Sequence, residues 1–344
     1  MGGLSSQLVK DKKIVVLKND RGGDLLTSYK AISYLTRLSK NITIFLSDIN
    51  KNFSFLFKNI KIIELPFDLK IKHKINLFIY LLKNKVDEVY ILSPKGFYYY
   101  LPIFFRKVKF FAIVIDGKKR NRPSVFLRKF LYKYEIVNRV NKINKLSLQE
   151  LQFKLVKTKN EYKIDKLNFL PKNNLINKHL KEDFIFFQFK KLFFEKIGWN
   201  KDKINKFLKF LTSKNKNIVF CSDIEITEYN TMFLSKYSNI NFMENKFNNK
   251  ENDNILYCHN ITGEDLFYVI SLSKKVVSPH GLVSHISRIL KKPTLALFNF
   301  DTRNKNDLLH EKISFSEWYP KKSFDFAFLN KDFEKTLRKI NTRI

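Results

Sequence analysis

Residues 14–32, IVVLKNDRGGDLLTSYKAI, contain the pattern that decides the fold class of this chain. Residues 14–17 form an apolar run with the length and composition of a buried strand. After a short polar loop, apolar side chains recur from Leu25 to Ile32 at the spacing of one helix face. A strand that passes through a short loop into an amphipathic helix is half of a βαβ unit, so this stretch predicts a parallel sheet.

Similar apolar runs recur along the chain, and amphipathic segments separate them. Strands are predicted at residues 42–46, 60–65, 86–92 and 110–116 in the first half, and at 184–189, 217–221, 255–258, 275–278 and 294–298 in the second. Helices are predicted at residues 71–84, 124–145, 201–213, 228–237, 264–273 and 282–290. This alternation in both halves favours an α/β protein with two parallel-sheet domains.

A polar segment at residues 170–183 separates the two halves. We therefore predict an N-terminal domain at residues 1–175 and a C-terminal domain at residues 176–344. Doubly wound sheets bind ligands at the carboxyl ends of their strands. The loops that leave strands and open helices are where site residues are expected, and we expect an active site in the cleft between the domains.

The composition limits the classes of protein to consider. The chain has 344 residues, of which 44% are hydrophobic, so it can form two cores and is not expected to be disordered. No run reaches the roughly 18 apolar residues of a transmembrane helix, and the N-terminus lacks a secretory signal pattern. Cys221 and Cys258 are too few for a disulfide framework and fit a reducing, cytoplasmic compartment.

The formal net charge of +33 favours a polyanionic partner, which could be nucleic acid or an anionic membrane. An AT-rich genome would also enrich Lys, Asn, Ile and Phe together, so compositional bias explains the charge equally well. The basic region at residues 118–139 is either a solvated surface or a site for an acidic ligand. It includes Lys118, Arg120 and Arg122.

The loop after the first strand contains two of the 9 glycines of the chain, Gly22 and Gly23, directly before Asp24. Adjacent glycines allow backbone angles that other residues avoid and let a ligand approach the chain closely. Asp24 is then either the N-cap of the following helix or a carboxylate that faces a ligand. The loop does not have the GxGxxG spacing of a dinucleotide site.

A second loop, SPHGLVSHIS at residues 278–287, also follows a strand and opens a helix. The free N–H groups and the dipole at a helix N-terminus suit an anion such as a diphosphate. The alternative is that Ser284 caps the helix and His285 is a packed polar residue. After the strand at 184–189, Lys190 or Lys196 could neutralise a phosphate, although a solvated lysine is the more common case.

Several motifs of other enzyme classes are missing. The chain has no Walker loop, HExxH, CxxC pair, GxSxG elbow or DxD motif, and we predict no metal site. Residues 262–265, TGED, predict a tight turn in which the acidic residues cap the next helix.

In combination, these segments resemble the bacterial lipopolysaccharide heptosyltransferases, a family of ADP-heptose-dependent glycosyltransferases. The resemblance rests on Gly23-Asp24 at the first helix, Thr262-Gly263 before a leucine-rich helix, Gly281 with His285 in the second loop, and Lys292-Pro293 before the last predicted strand. The motifs occur in the family's order and span most of the chain.

The resemblance implies a GT-B fold, in which two Rossmann-like domains with parallel sheets face an interdomain cleft. It also implies an inverting transfer without a metal or other cofactor, from a nucleoside-diphosphate sugar such as ADP-heptose to a lipopolysaccharide core or another surface glycan. The enzyme would work in the cytoplasm, in peripheral contact with the anionic inner face of the inner membrane.

The resemblance also assigns roles to residues. Asp24 would be the general base, and the acceptor side would include Gly22, Gly23, Lys118, Arg120 and Arg122. The donor side would comprise the Thr262-Gly263 turn and a diphosphate site made by Lys190 or Lys196 with His280, Gly281, Leu282, Val283, Ser284 and His285. Lys196, which is near Trp199, matches the family's lysine better.

The second loop departs from the family pattern, because Pro279 stands where the family has an acidic residue and the histidine follows the glycine one residue later. The donor sugar is therefore open. Two alternatives remain: a family member that binds a sugar nucleotide without turnover, and a basic nucleic-acid-binding protein, for which recognised RNA- or DNA-binding motifs are missing.

Overall fold

The computed structural model describes residues 12–116, 123–139, 142–157, 180, 183–214, 217–222, 255–259, 261–299, 305–319, 325–329 and 332–341. The chain forms two compact units. The first comprises Met1–Asp165 and Leu309–Lys321, and the second comprises Lys166–Leu308 and Lys322–Ile344. The predicted boundary at residues 175 and 176 lies outside the described residues.

The first unit is built on a six-stranded parallel sheet. Its strands are β1 (Ile14–Lys18), β2 (Ile42–Leu46), β3 (Lys61–Glu64), β4 (Glu88–Ile91), β5 (Lys109–Asp116) and β6 (Lys133–Asn138), in the order β3-β2-β1-β4-β5-β6. Its helices are α1 (Gly22–Leu38), α2 (Ile71–Lys83), α3 (Leu101–Phe104), α4 (Val125–Arg128) and α5 (Leu148–Val156), with 3₁₀ helices at Lys51–Leu56 and Gly96–Tyr100.

Strand β1 and helix α1 have the burial that their sequence patterns predict. All five residues of β1 are buried, as is usual for the central strand of a parallel sheet that is covered on both faces. Leu25, Leu26 and Ile32 bury the inner face of α1. The helix also packs against α5, where the ring centroids of Tyr34 and Phe153 are 5.6 Å apart.

The second unit repeats this plan. Its strands are β7 (Phe184–Phe189), β8 (Asn217–Ser222), β9 (Ile255–His259), β10 (Lys275–Pro279), β11 (Thr294–Asn299) and β12 (Asp325–Leu329), in the order β12-β11-β10-β7-β8-β9. Its helices are α6 (Lys191–Lys196), α7 (Lys201–Lys214), α8 (Gly263–Leu272), α9 (Leu282–Ile289) and α11 (Phe333–Asn341). Helix α10 (Lys305–Trp318) begins in this unit and ends in the first.

Aromatic side chains dominate the core of the second unit. Phe187 of β7 and Trp199 both pack against Phe207 of α7, with ring centroids 5.4 Å away in each case. Phe194 of α6 also contacts Trp199, at 5.3 Å between ring centroids. This packing fixes α6 and α7 on the sheet and holds the end of β7 in place.

The two sheets have the same strand order when the strands are counted within each unit. The order reverses between β1 and β4 in the first sheet and between β7 and β10 in the second. In doubly wound sheets, the loops at the carboxyl ends of these two strands flank the crevice that binds ligands. A ligand site is therefore expected after β1 and β4 in the first unit, and after β7 and β10 in the second.

One predicted helix is wrong. Residues 124–145 contain the short helix α4, and then β6 pairs with β5 from Phe111 opposite Lys133 to Asp116 opposite Asn138. Strand β6 is the last strand of its sheet and leaves Ile136 exposed. Because an edge strand is not buried on all sides, its sequence is basic and lacks the continuous apolar run that marks the central strands.

Other elements were not predicted from sequence, namely α5, α6, α10, β12 and α11. The helix predicted at residues 228–237 lies outside the described residues. Within the part of the chain that the structure describes, no helix is both long and apolar enough to cross a membrane.

Candidate functional site

Asp24 lies in the first turn of α1, two residues after the helix begins at Gly22. The N-cap is Arg21, whose side chain makes no capping hydrogen bond, so Asp24 is not the N-cap. Neither Gly22 nor Gly23 has a positive φ angle, since these glycines form regular helix. The expectation that the pair needs special backbone angles is therefore wrong. Because glycine has no side chain, the two residues before Asp24 leave the space beside its carboxylate open.

Asp24 lines a cavity of about 440 Å³ in the first unit. The cavity lies at the switch point of the sheet, because its wall includes residues directly after β1 and directly after β4. Its polar and charged lining consists of Lys18, Asp20, Arg21, Asp24, Ser93, Lys95, Arg139 and Glu317. Apolar side chains such as Ile113, Ile115 and Trp318 complete the wall.

The pKa of Asp24 is raised from 3.8 to about 6. Burial is the main cause, because it disfavours the ionised carboxylate, and the charge of Asp20 adds to it. The cations Lys18 and Arg139 and a hydrogen bond from the backbone N–H of Arg21 act in the opposite direction. Asp24 is thus mostly ionised near neutral pH, yet it binds a proton more tightly than an ordinary aspartate.

A buried ion pair stands beside Asp24. Lys18 Nζ donates to Asp20 Oδ2 at 2.6 Å and to the carbonyl oxygen of Leu92 at 3.3 Å, and the Lys18 side chain is only 1% exposed. The other carboxylate oxygen, Asp20 Oδ1, and the hydroxyl of Ser93 are buried without a hydrogen-bond partner among the described residues. Buried polar atoms are normally hydrogen-bonded, so these two atoms in the cavity wall are suited to ligand hydroxyl groups.

A network of hydrogen bonds holds the loop after β1. Asn19 Nδ2 donates to the carbonyl of Pro66 at 2.8 Å, and Tyr98 donates to Asn19 Oδ1 at 2.6 Å. The side chain of Asn50 donates to the Lys18 carbonyl at 2.7 Å. Because these partners come from loops after β2, β3 and β4, the position of the loop is set by the sheet as a whole.

Two of the cations that line this cavity, Arg139 and Lys95, are engaged by other groups. Arg139 Nε lies 2.8 Å from both carboxylate oxygens of Glu317, and Arg139 Nη2 also donates to Glu317. Lys95 donates to the carbonyl of Phe67, and burial lowers the pKa of Lys95. The basic residues predicted for the acceptor side, Lys118, Arg120 and Arg122, lie outside the described residues.

In the second unit, the structure brings Lys190 to the loop around Gly281. Lys190 follows β7, and its Nζ lies 3.4 Å from the carbonyl oxygen of His280 and 2.7 Å from where a Cβ would stand on Gly281. Gly281 has a φ angle of +143°, a conformation that other residues rarely adopt. These residues come directly after β7 and β10, at the switch point of the second sheet.

The loop opens helix α9 with Gly281 as its N-cap. The N–H groups of the first turn, at Leu282, Val283 and Ser284, have no acceptor within the helix and are available to an anion. The hydroxyl of Ser284 is buried and lies 3.4 Å from the Pro279 carbonyl oxygen. The groups of this loop that are available to an anion are therefore backbone N–H groups rather than the serine hydroxyl.

Of the two histidines of this loop, His285 is buried and His280 is partly buried. Burial, together with the charge of Lys190, lowers the pKa of His280 to about 4, so its imidazole is neutral near pH 7. His280 stacks on Phe298 with ring centroids 5.3 Å apart. His285 is 3% exposed and its ring centroid lies 6.3 Å from that of His280, so its direct contact with a ligand stays a prediction.

The other predicted donor-side residues lie at the end of α6 and at the start of α8. Lys196 is the last residue of α6 and is exposed, while Trp199 is part of the core. Thr262 is the N-cap of α8: its hydroxyl oxygen accepts from the Asp265 N–H at 3.1 Å and donates to Asp265 Oδ2 at 2.7 Å. The residue that caps this helix is therefore Thr262, with Asp265 as its partner.

Sequence reasoning missed Lys18, Asp20 and Ser93. The available signal was their position at the end of β1 or just after β1 and β4, the two strands that flank the switch point. The order of the strands was needed to recognise it. In the described ranges, no group of three or more His, Cys, Asp or Glu side chains could hold a metal ion.

Comparisons with known proteins support the fold. No protein-family sequence model matches the chain, and no curated protein matches it by sequence. The structure is similar to that of a glycosyl transferase family 9 protein from Veillonella parvula, with a TM-score of 0.62, 12% identity, and coverage of 97% of this chain and 90% of that one. It is similar to Escherichia coli heptosyltransferase WaaC with ADP-2-deoxy-2-fluoro heptose (TM-score 0.62, 12% identity, 96% and 98% coverage).

A third similar structure is the UDP-GlcNAc 2-epimerase of Methanocaldococcus jannaschii, with a TM-score of 0.54, 13% identity, and coverage of 96% of this chain and 92% of that one. The similarity extends over nearly the whole chain in each case. Together with the two six-stranded parallel sheets of identical strand order, it confirms the fold that the motifs predicted. The chain has the GT-B fold of the heptosyltransferases that its motifs resemble.

Proposed function

We propose that this chain is a glycosyltransferase that moves a sugar from a nucleoside-diphosphate donor to a hydroxyl group of a lipopolysaccharide core or another surface glycan. The observation that carries the proposal is the position of Asp24 in the cavity at the switch point of the first sheet, with a pKa raised to about 6. A carboxylate with this pKa is ionised near neutral pH and is a better general base than an ordinary aspartate.

In the proposed reaction, Asp24 accepts the proton of the acceptor hydroxyl as the hydroxyl oxygen attacks the anomeric carbon of the donor. The bond from that carbon to the diphosphate oxygen breaks, and the diphosphate leaves with the electron pair. A single displacement from the opposite face of the sugar inverts the anomeric configuration.

Lys190 and the N-terminus of α9 would stabilise the leaving diphosphate. The ammonium group of Lys190 lies against Gly281, beside the first-turn N–H groups of the helix. A lysine charge and a helix N-terminus both favour an anion, and they supply the positive charge that a metal ion provides in other transferases. Lys190 therefore replaces Lys196 as our choice for the diphosphate ligand.

The acceptor would be bound through its hydroxyl groups in the cavity of the first unit. Asp20 Oδ1 can accept one hydrogen bond, and the Ser93 hydroxyl can donate or accept another. Since Arg139 is paired with Glu317, these polar atoms favour a hydroxyl-rich sugar at this position. The basic segment that contains Lys118, Arg120 and Arg122 would bind acidic groups elsewhere on the acceptor.

We propose a nucleoside-diphosphate sugar as co-substrate and no other cofactor. ADP-heptose is the first donor to test, because the similar WaaC structure contains an ADP-heptose analogue. The departure at Pro279 leaves other sugars open. A glycolipid acceptor would place the protein in the cytoplasm, on the inner face of the bacterial inner membrane.

The test has two stages, which are binding and transfer. A thermal-shift screen of sugar nucleotides should show a rise in melting temperature with one donor, because a ligand that binds only the folded state stabilises it. Transfer from that donor should fall by about 10²–10⁴-fold in Asp24→Asn, while donor binding is kept. Glu64→Gln, which changes an exposed carboxylate outside the cavity, should leave transfer unchanged.

Other results of these two experiments would favour a different function or a different catalytic residue. Full transfer activity in Asp24→Asn would remove this residue from the role of base. Donor binding without turnover in the unaltered protein would favour the binding-only alternative, and epimerisation of UDP-GlcNAc without an acceptor would place the chain with the epimerases. Tight, salt-dependent binding to arbitrary DNA in the absence of any donor shift would favour the nucleic-acid-binding alternative.

A further inference from the structure

Helix α2 exposes an apolar stripe on the surface of the first unit. Its inner face packs into the core through Leu77 and Leu81. On the outer face, Ile71 and Leu82 are 74% and 57% exposed, and Ile75 and Ile79 are exposed as well. At the helical spacing of 3.6 residues per turn, these four side chains lie within an arc of roughly 80°. The helix is therefore apolar on two sides, and only one of them is covered by its own unit.

The stripe continues onto helix α3. Phe78 lies between the two faces of α2, and its ring centroid is 5.6 Å from that of Phe104. Phe104 is 66% exposed and is followed by the exposed side chains of Arg106 and Lys107. We call Ile71, Ile75, Phe78, Ile79, Leu82 and Phe104 the α2 patch. A contiguous exposed apolar patch of this kind marks an interaction surface, whereas isolated exposed apolar residues do not.

Cations surround the α2 patch. Lys72 and Lys83 project from α2 in the arc next to the apolar stripe, and both are exposed. Residues 70–85 contain five lysines and no acidic residue. A second copy of this chain would bring two positive rims together, so self-association through the patch is disfavoured electrostatically. An anionic lipid surface complements both the apolar stripe and its positive border.

We propose that the α2 patch docks the protein onto an anionic membrane, with α2 lying in the plane of the interface. In this arrangement the isoleucine, leucine and phenylalanine side chains enter the boundary between headgroups and acyl chains. The lysine stems lie along the apolar surface while their ammonium groups reach the lipid phosphates. This inference does not depend on the proposed glycosyl transfer, because lipid binding can be measured without any sugar substrate.

The test is co-flotation of the full-length protein with vesicles. The protein should bind vesicles of phosphatidylcholine and phosphatidylglycerol in equal amounts, bind pure phosphatidylcholine weakly, and be released from the mixed vesicles by salt. Ile75→Ser with Ile79→Ser should lower the partition onto the mixed vesicles by about tenfold or more, since two exposed apolar side chains no longer enter the lipid. The matched control is Leu192→Ser with Leu272→Ser, which changes two exposed leucines of the second unit and should leave binding unchanged.

Charge is tested separately. Lys72→Glu with Lys83→Glu should weaken binding to the mixed vesicles and reduce its salt dependence, whereas the same change at Lys206 and Lys274 should have a smaller effect. Equal losses for the α2 variants and their controls would overturn the proposal, as would binding that ignores lipid charge. Patch variants that bind lipid normally but abolish a dimer seen for the unaltered protein would show that a second copy covers the patch instead.

Discussion

Replacing Asp24 by asparagine should stabilise the first unit at neutral pH, although the change removes the proposed base. Burial and the charge of Asp20 raise the pKa of Asp24 from 3.8 to about 6. A raised carboxyl pKa means that the ionised form is less favourable in the folded protein than in the unfolded chain. Asparagine has nearly the same shape, carries no charge and can still accept the hydrogen bond from the Arg21 N–H.

The size and sign of this effect follow from the pKa shift. A shift of roughly two pKa units corresponds to about 3 kcal/mol at most, at 1.36 kcal/mol per unit. Because Asp24 is only partly buried, solvent screens some of this cost, and we expect ~1–2 kcal/mol. The cost is absent below the unfolded pKa of 3.8, where the carboxyl is protonated in both states. It grows as the pH rises to about 6 and is constant above that value.

Urea denaturation at about pH 4 and about pH 7.5 would measure the difference between the two proteins. Asp24→Asn should be the more stable protein only at the higher pH. The matched control is Asp20→Asn, the same chemical change four residues earlier in the loop after β1, which leaves the buried ammonium of Lys18 without its carboxylate. That variant should lose about 3–5 kcal/mol of stability. Lower stability of Asp24→Asn at the higher pH, or an equal gain at both pH values, would refute the electrostatic argument.

Three further predictions concern both units. If Asp24 is the base, kcat/KM for transfer should rise with pH through about 6 and level off above it, because only the ionised carboxylate accepts a proton; a flat profile over this range would contradict that role. Gly281→Ala should lower the melting temperature and weaken binding of ADP, since a Cβ would stand 2.7 Å from Lys190 Nζ and the φ angle of +143° is strained for alanine. Gly198→Ala is its control: with a φ angle of +68° and nothing within 4 Å of the added Cβ, it should cost stability but leave ADP binding unchanged. Glu317→Gln should reduce stability by about 1–3 kcal/mol in urea denaturation, because it removes the counter-charge of a partly buried guanidinium, and an unchanged midpoint would show that solvent already compensates that charge.

The central elements of both sheets were predictable because each carries a simple apolar period. Strand β1 and helix α1 follow a strand-length run and a helical spacing that local sequence shows directly. Strand β6 does not, because it lies at a sheet edge and its identity depends on pairing with β5. Local pattern is therefore a good guide to the central strands, whereas of the four edge strands it predicted β3 and β9 but missed β6 and β12.

The candidate sites were predictable only in part. Asp24 stood out from its glycine-rich loop, but the raised pKa depends on burial and on Asp20, which only the folded loop reveals. The family resemblance favoured Lys196 over Lys190, whereas the fold brings Lys190 to Gly281 from a distant part of the chain. Contacts between loops that follow different strands are set by the strand order. That order cannot be predicted from the sequence of any single segment.

Helix α10 has a consequence for how the protein is made. It returns the chain from the second unit to the first, and it carries Glu317, which pairs with Arg139 in the cavity, and Ser316, whose hydroxyl oxygen accepts from the Asn144 N–H at 2.9 Å. During synthesis, the first unit therefore leaves the ribosome without one wall of its cavity, and that wall arrives only after most of the second unit has been translated. A nascent chain arrested before residue 309 would hold Asp24 in an unfinished cavity, so the cavity is completed late in translation rather than when the first sheet forms.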